Sequence, residues 1–250
     1  MIESLKNIPK RSLKPRNHGI TMMMDKGLSI KEVENFIECN LEFTDLIKLG
    51  FGTSIITPNI IDKIKIYRKN GLKVFPGGTL FEAFYIRGQL NDYKNYLHKI
   101  GVDMLEISDG SINIDNNEKC NIIHEFSKEF KVVSEVGCKD ANIEIKSQNW
   151  VDFMRNELES GSWKVITEAR EGGNVGIFNT HGEIKSGLVN DINNQININD
   201  IIWESPNKNQ QAWFIKKFGA NVNLGNISHN DIIPLECLRL GLRGDTFNIQ

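Results

Sequence analysis

Short apolar runs alternate with longer amphipathic segments along most of this chain, a rhythm that predicts βα units and a parallel sheet. It starts after a basic, irregular stretch that ends near Arg16. Strands are expected at 19–24, 45–49, 72–75, 103–107, 131–136, 164–167, 201–203 and 221–224. Helices are expected between and after them, over 30–39, 59–69, 80–99, 118–129, 151–159, 181–193, 210–218 and 232–240. Local signals agree with several of these boundaries. Ser29 with Glu32 three residues later is a capping-box pattern. Pro58 stands where a first helical turn would begin, and Gly71 and Gly219 stand where helices would end.

Eight strands each followed by a helix favour one closed (β/α)8 barrel, and 250 residues is close to the roughly 250 of a typical one. An open doubly wound sheet usually has fewer strands. The first turn also lacks the GxGxxG loop of a dinucleotide-binding unit. No linker rich in Pro, Gly or Ser divides the chain, so a single domain over 1–250 is expected, with 1–16 as an irregular N-terminal segment.

Composition alters this picture little. At 40% hydrophobic and 25% charged residues the chain reads as an ordinary soluble globular protein. A net charge of −2 gives no support for a nucleic-acid or anionic-membrane partner, and no apolar run approaches the roughly 20 residues of a membrane span. Cys39, Cys120, Cys138 and Cys237 form no CxxC pair, which argues against structural zinc. With no signal peptide, free thiols in a cytoplasmic location are the expectation.

The candidate chemistry lies at the strand ends. Active sites of such barrels sit at the C-terminal ends of the strands, and strand side chains alternate between faces. Asp25, Lys48, Glu106, Glu135, Glu168, Glu204 and Asn223 each fall there, several in phase with an apolar residue two positions earlier. Any one of them alone could be a polar strand terminus reaching solvent. Seven together are harder to dismiss, because buried carboxylates are costly unless paired or metal-bound. Glu106, Glu135 and Glu168 come from consecutive strands. Their mutual repulsion would be relieved by a hard, oxygen-preferring cation, for which Mg²⁺ is the usual candidate. The competing reading is a salt-bridge ring with Lys48, Lys139 and Arg170. Those cations also suit an anionic substrate. Gly225 and Asn226 follow the eighth expected strand, where barrels often bind phosphate, although an ordinary loop would look the same. The five histidines show no ligand spacing, Met22–Met24 reads as strand core, and Trp203 reads as packing against a helix.

Longer motifs carry a family resemblance. Lys14-Pro15-Arg16, Lys48-Leu49-Gly50-Phe51-Gly52, Gly77-Gly78-Thr79-Leu80-Phe81-Glu82 and Glu106-Ile107-Ser108-Asp109-Gly110 resemble phosphosulfolactate synthases. So do Ser134-Glu135-Val136-Gly137, Glu168-Ala169-Arg170-Glu171, Asn221-Val222-Asn223-Leu224-Gly225-Asn226 and Gly241-Leu242-Arg243-Gly244-Asp245. The resemblance spans about Lys14 to Thr246. It implies a Mg²⁺-dependent (β/α)8-barrel lyase that adds sulfite to phosphoenolpyruvate, giving (2R)-2-phospho-3-sulfolactate for coenzyme M synthesis or sulfolactate accumulation. On that reading Glu106, Glu135 and Glu168 hold the metal and Lys139 donates a proton to the phosphate-bearing carbon. Lys48 and Arg170 grip phosphate or sulfonate, Asp25, Glu204 and Asn223 orient these groups, and Gly225 approaches the phosphate. A homo-oligomer is expected. Departures from the family pattern are Cys138, Gly172, Trp203 and Ser205, none of which removes a proposed catalytic group. Two alternatives stay open. One is a lyase or aldolase using Lys139 or Lys48 as a Schiff base. The other is a non-catalytic stress-related barrel of the same fold family.

Overall fold

A computed structural model describes residues 5–137 and 146–249. Eight parallel strands form one barrel: β1 (Thr21–Asp25), β2 (Leu46–Leu49), β3 (Lys73–Pro76), β4 (Met104–Ser108), β5 (Lys131–Val136), β6 (Ser162–Thr167), β7 (Ile201–Glu204) and β8 (Leu224–Ser228). Ladders run β3-β2-β1-β8-β7-β6-β5-β4. At the remaining seam β3 and β4 lie against each other without a ladder among the described residues.

The strands use their period of two to separate two cores. Met22, Leu46, Phe75, Met104, Val133, Ile166 and Ile202 supply one inward residue from each of β1 to β7, and with Ile20 they fill the barrel. β8 contributes Gly225, where a Cβ would stand 2.5 Å from the Met22 Cε and 2.9 Å from the Ile202 Cγ2. The alternate residues, such as Met23, Ile47, Val74, Leu105, Val132, Val165 and Trp203, join the larger core under the helices. Inward residues therefore sit in layers, as barrel closure requires, and the next inward position toward the C-terminal mouth carries the polar groups.

Ten α-helices surround the described barrel: α1 (Ile30–Asn40), α2 (Thr53–Ile56), α3 (Ile60–Lys69), α4 (Gly78–Tyr85), α5 (Leu90–Ile100), α6 (Asn116–Ser127), α7 (Ser147–Glu159), α8 (Ser186–Gln195), α9 (Lys208–Phe218) and α10 (Ile232–Arg239). The Ser29–Glu32 capping box is formed. The single helix expected over 80–99 is two. Gly88 takes φ 66°, and the Gly88 and Gln89 N–H groups bond back to the Tyr85 and Phe84 carbonyls, which ends the first helix. Pro58 lies in the turn before α3, whose preceding Asn59 takes φ 56°. The eighth strand starts at Leu224 rather than Asn221, and the helix expected from 181 starts at Ser186.

The irregular N-terminal arm ties the closed end of the barrel. Arg16 pairs with Asp45 at 3.2 Å, Arg11 with Glu236 at 2.8 Å, and Lys14 donates to the Leu41 and Thr44 carbonyls.

Asp25 illustrates how strand phase decides a role. Met22 faces the barrel interior and Met23 faces the helices, so Asp25 faces the helices too. Its side chain is fully buried, pairs with Lys63 on α3 at 2.9 Å, and accepts from the Tyr67 hydroxyl and the Gly27 and Leu28 N–H groups. The expectation that Asp25 contacts substrate is corrected: it anchors the β1–α1 turn to α3. Asp25→Ala strands the buried Lys63 ammonium. A loss of about 3–5 kcal/mol is expected in urea denaturation, and a loss below 1 kcal/mol would count against this role.

Candidate functional site

At the C-terminal mouth, the residue two beyond each inner-core side chain points into one cavity. Leu46 leads to Lys48, Met104 to Glu106, Val133 to Glu135, Ile166 to Glu168 and Ile202 to Glu204, and all five line it. The cavity holds about 530 Å³ and is completed by Met24, Phe51, Thr79, Ser111, Arg170, Asn174 and Asn226. Strand alternation alone thus delivers four glutamates, each at most 3% exposed, around a lysine that is 6% exposed.

Lys48 is the hub. Its Nζ lies 2.8 Å from Glu106, 3.2 Å from Glu135 and 3.2 Å from Glu204. Burial by itself would lower its pKa, but the three carboxylates outweigh that and hold it well above the ordinary lysine range. Glu106 is pushed up to about 7, by burial first, with Lys48 pulling against it and Glu135 adding to it. Glu204 is raised by burial in the same way. Three carboxylates at this range favour the ammonium form, which argues against Lys48 as a Schiff-base nucleophile, since that role needs a neutral amine.

The carboxylates differ in what holds them. Glu106 accepts the Gly78 N–H at 2.9 Å across the β3–β4 seam. Glu204 accepts from Ala169 N–H at 3.1 Å, and Glu168 from Arg170 N–H at 2.6 Å. Oxygen atoms of Glu135, Glu168 and Glu204 lie within 4.8 Å of one another. That set includes Glu204, expected to orient substrate, while Glu106, expected as a ligand, sits instead between Lys48 and Gly78. Three buried carboxylates that converge are a hard-oxygen donor set of the kind that divalent Mg²⁺ or Ca²⁺ accepts, so the residues fit such an ion.

Gly77 and Gly78 let helix α4 approach the mouth. A Cβ on Gly78 would stand 2.6 Å from the Ser108 Cβ and 2.8 Å from the Glu106 Oε1. Gly78→Ala is expected to destabilise by about 1–3 kcal/mol and to lower turnover by displacing Glu106. Adding Ser108→Gly should restore part of both in thermal melts and steady-state rates. No loss in the single variant would show that the seam is looser than described.

Arg170 lies on the loop after β6, exposed and in a left-handed conformation at φ 52°. Its carbonyl accepts from the Asn226 side chain at 3.0 Å. The rest of that loop is tied down by Gln210 on the Gly173 carbonyl, Asn207 on the Gly172 carbonyl and an ion pair between Glu171 and Lys26. Asn226 reaches the cavity because β8 carries one extra residue there. Thr21 and Met23 of β1 face Leu224 and Ile227, two steps against three, and Asn226 takes φ 58°, a β-bulge that re-aims a side chain.

Two expected substrate contacts are corrected. Asn223 precedes β8 at the opposite end, where it accepts from Ile20 N–H and donates to the Asn199 and Ile201 carbonyls. Gly225 lies in the barrel interior against Met22 and Ile202. Lys139 and Cys138 lie outside the described residues. What the sequence reading missed includes Thr79, in the first turn of α4, and Ser111 and Asn174, which loops carry into the cavity without any periodic signal. It also missed the Gly78 N–H as a partner for Glu106, although the Gly77-Gly78 pair invited a close-approach reading.

Comparison with known proteins identifies relatives of the chain. Residues 9–245 match the (2R)-phospho-3-sulfolactate synthase (ComA) family. The chain is 41% identical to a phosphosulfolactate synthase of Bacillus subtilis, over 96% of each protein, and 39% identical to one of Methanothermobacter thermautotrophicus, over 95% of each. It is 20% identical to the Arabidopsis thaliana protein HEAT-STRESS-ASSOCIATED 32, over 92% of this chain and 88% of that one. Among solved structures, the YdjI aldolase of Escherichia coli resembles it with TM-score 0.58 at 11% identity, covering 86% of this chain and 76% of that one. The 3-hexulose-6-phosphate synthase of Salmonella typhimurium does so with TM-score 0.58 at 14% identity, covering 90% and 100%. At such identities the structural likeness speaks for the barrel alone.

Proposed function

The chain belongs to the (2R)-phospho-3-sulfolactate synthase family, and from that premise we propose that its mouth forms a carbon–sulfur bond between sulfite and phosphoenolpyruvate with Mg²⁺ held by Glu135, Glu168 and Glu204. The observation that carries this reading is the convergence of those three buried carboxylates beside Lys48 in one cavity.

The sulfur lone pair of sulfite attacks the methylene carbon of phosphoenolpyruvate, and the double-bond electrons move toward the substrate carboxylate. Bound at the three glutamates, Mg²⁺ supplies Lewis-acid stabilisation of that charge. Lys48, fixed as an ammonium, adds a second positive charge at the cavity floor without giving up its proton. Arg170, exposed at the cavity rim, offers its guanidinium to phosphate or sulfonate. Glu106 keeps Lys48 in place and buttresses the Gly78 turn. The carbon bearing phosphate then takes a proton, and Lys139 is proposed as the donor from its place in the sequence. Loss of the strand-end carboxylates would favour the stress-related alternative, and here all four line the cavity.

The direct test is a product assay with phosphoenolpyruvate, sulfite and Mg²⁺, with and without chelator. Sulfonate product that disappears with chelator and returns with Mg²⁺ is expected. Absence of product would overturn the reaction, and chelator-insensitive product would overturn the metal.

A further inference from the structure

The opposite end of the barrel carries a second concentration of charge that the reaction does not use. Lys73 opens β3, Lys131 opens β5 and Lys164 lies near the start of β6. Each is two residues before an inner-core side chain, Phe75, Val133 and Ile166 respectively, so all three share the inward phase at the closed end. Between them stands Trp163. Val132 and Val133 of β5 face Ser162 and Lys164 of β6, so Trp163 is the extra residue of a β-bulge. The bulge turns it inward, where it packs against the inner core instead of the helices.

Three ammonium groups surround that one indole. Their Nζ atoms lie 5.1, 4.4 and 4.8 Å from the ring centroid for Lys73, Lys131 and Lys164. The ring face attracts each of them, and against their mutual repulsion stand only Asp103, which acts on Lys131, and Asp200, which acts on Lys164, neither of them in an ion pair with a lysine of the trio. None of the three forms an ion pair with a carboxylate among the described residues. Asp103 is engaged with Arg68 at 3.2 Å, and Asp200 acts on Lys164 only at longer range. Lys164 donates to the Asn199 carbonyl. Lys131 is held below the ordinary lysine range by partial burial first and by Lys73 second, and Lys164 by burial. Lys73 and Lys131 remain solvent-exposed, so an ion has access.

We propose that Trp163 and the lysine ring of Lys73, Lys131 and Lys164 form a binding site for a small multivalent oxyanion of the phosphate or sulfate type, separate from the catalytic mouth. The indole forms the floor, the bulge places it there, and the two exposed lysines supply charge that a doubly negative ion neutralises better than chloride. The ligand is inorganic phosphate or sulfate, or the phosphate group of a monoester.

Tryptophan fluorescence of the full chain tests this, titrated with sulfate, inorganic phosphate and glycerol 3-phosphate against chloride at matched ionic strength. A saturable change with the divalent anions is expected, absent with chloride and lost in Trp163→Phe. Half-saturation should rise at least tenfold in the Lys73→Gln/Lys131→Gln double variant, whose turnover stays that of the parent. Tighter binding of glycerol 3-phosphate than of inorganic phosphate would identify a monoester as the natural ligand, and the reverse order an inorganic ion. An unchanged titration in the double variant, or a signal that follows ionic strength regardless of the anion, would overturn the site. As a second measure, Lys131→Gln should raise Tm in low-salt buffer by relieving repulsion, and sulfate should erase that difference. An equal Tm in low salt would also overturn it.

Discussion

Lys48→Met is expected to separate metal binding from turnover. The change leaves Glu106, Glu135 and Glu204 without the ammonium that lies within 3.2 Å of each. Removing one partner of a buried charge cluster costs about 3–5 kcal/mol, so the metal-free variant should melt well below the parent. A divalent cation no longer competes with Lys48 for Glu135 and Glu204, so Mg²⁺ affinity should rise at least about tenfold, worth about 1.4 kcal/mol. Turnover should nevertheless fall by about 10²–10³-fold, because a fixed positive charge near the developing anion is lost. Calorimetric Mg²⁺ titration, Mg²⁺-dependent melting and kcat together report these opposing shifts. Weaker Mg²⁺ binding in the variant would show that Lys48 and the cation do not share those oxygens.

Glu135→Gln is expected to act in the other direction. It takes one of three converging oxygens from the proposed ion and one acceptor from Lys48. Substituting groups that merely support a metal ligand costs 10–100-fold, and a ligand itself should reach at least the upper end, about 100-fold in Mg²⁺ affinity and in kcat/KM. Glu204→Gln should behave alike. Glu106→Gln should change Mg²⁺ affinity far less, because Glu106 is committed to Gly78 N–H and Lys48. Titrating the three variants side by side distinguishes the set containing Glu204 from the set containing Glu106. A large loss in Glu106→Gln with none in Glu204→Gln would restore the set of Glu106, Glu135 and Glu168.

The difference between those two sets shows where sequence reading stops. Adjacent strands suggested Glu106, Glu135 and Glu168 as neighbours. Glu135, Glu168 and Glu204 also come from consecutive strands, with β7 bringing Glu204 beside Glu168 through the β6–β7 ladder, so adjacency alone does not choose between the two sets. Lys48 crosses from β2 to meet Glu135 and Glu204. Distances across a closed barrel depend on its radius and stagger, which no run of residues records.

Alternation along single strands was legible wherever the ladder stayed regular. The phase of Lys48, Glu106, Glu135, Glu168 and Glu204 followed from Leu46, Met104, Val133, Ile166 and Ile202. It failed where the strand boundary or the choice of phase was wrong. In β1, the methionine run is apolar on both faces, so nothing local showed that Met22 and not Met23 faces inward, and Asp25 was assigned to the wrong side. In β8, a strand start three residues too early moved Asn223 to the wrong end, and a bulge then gave the cavity Asn226 instead.

By itself, then, the sequence determined the repeating βα pattern, the barrel it closes into and the five mouth residues whose apolar partners lie two positions earlier, because a period of two is a property of each strand. Only the tertiary structure decided which carboxylates converge, which lysine they share and where two bulges re-aim Trp163 and Asn226. Those outcomes depend on contacts between segments far apart in the chain.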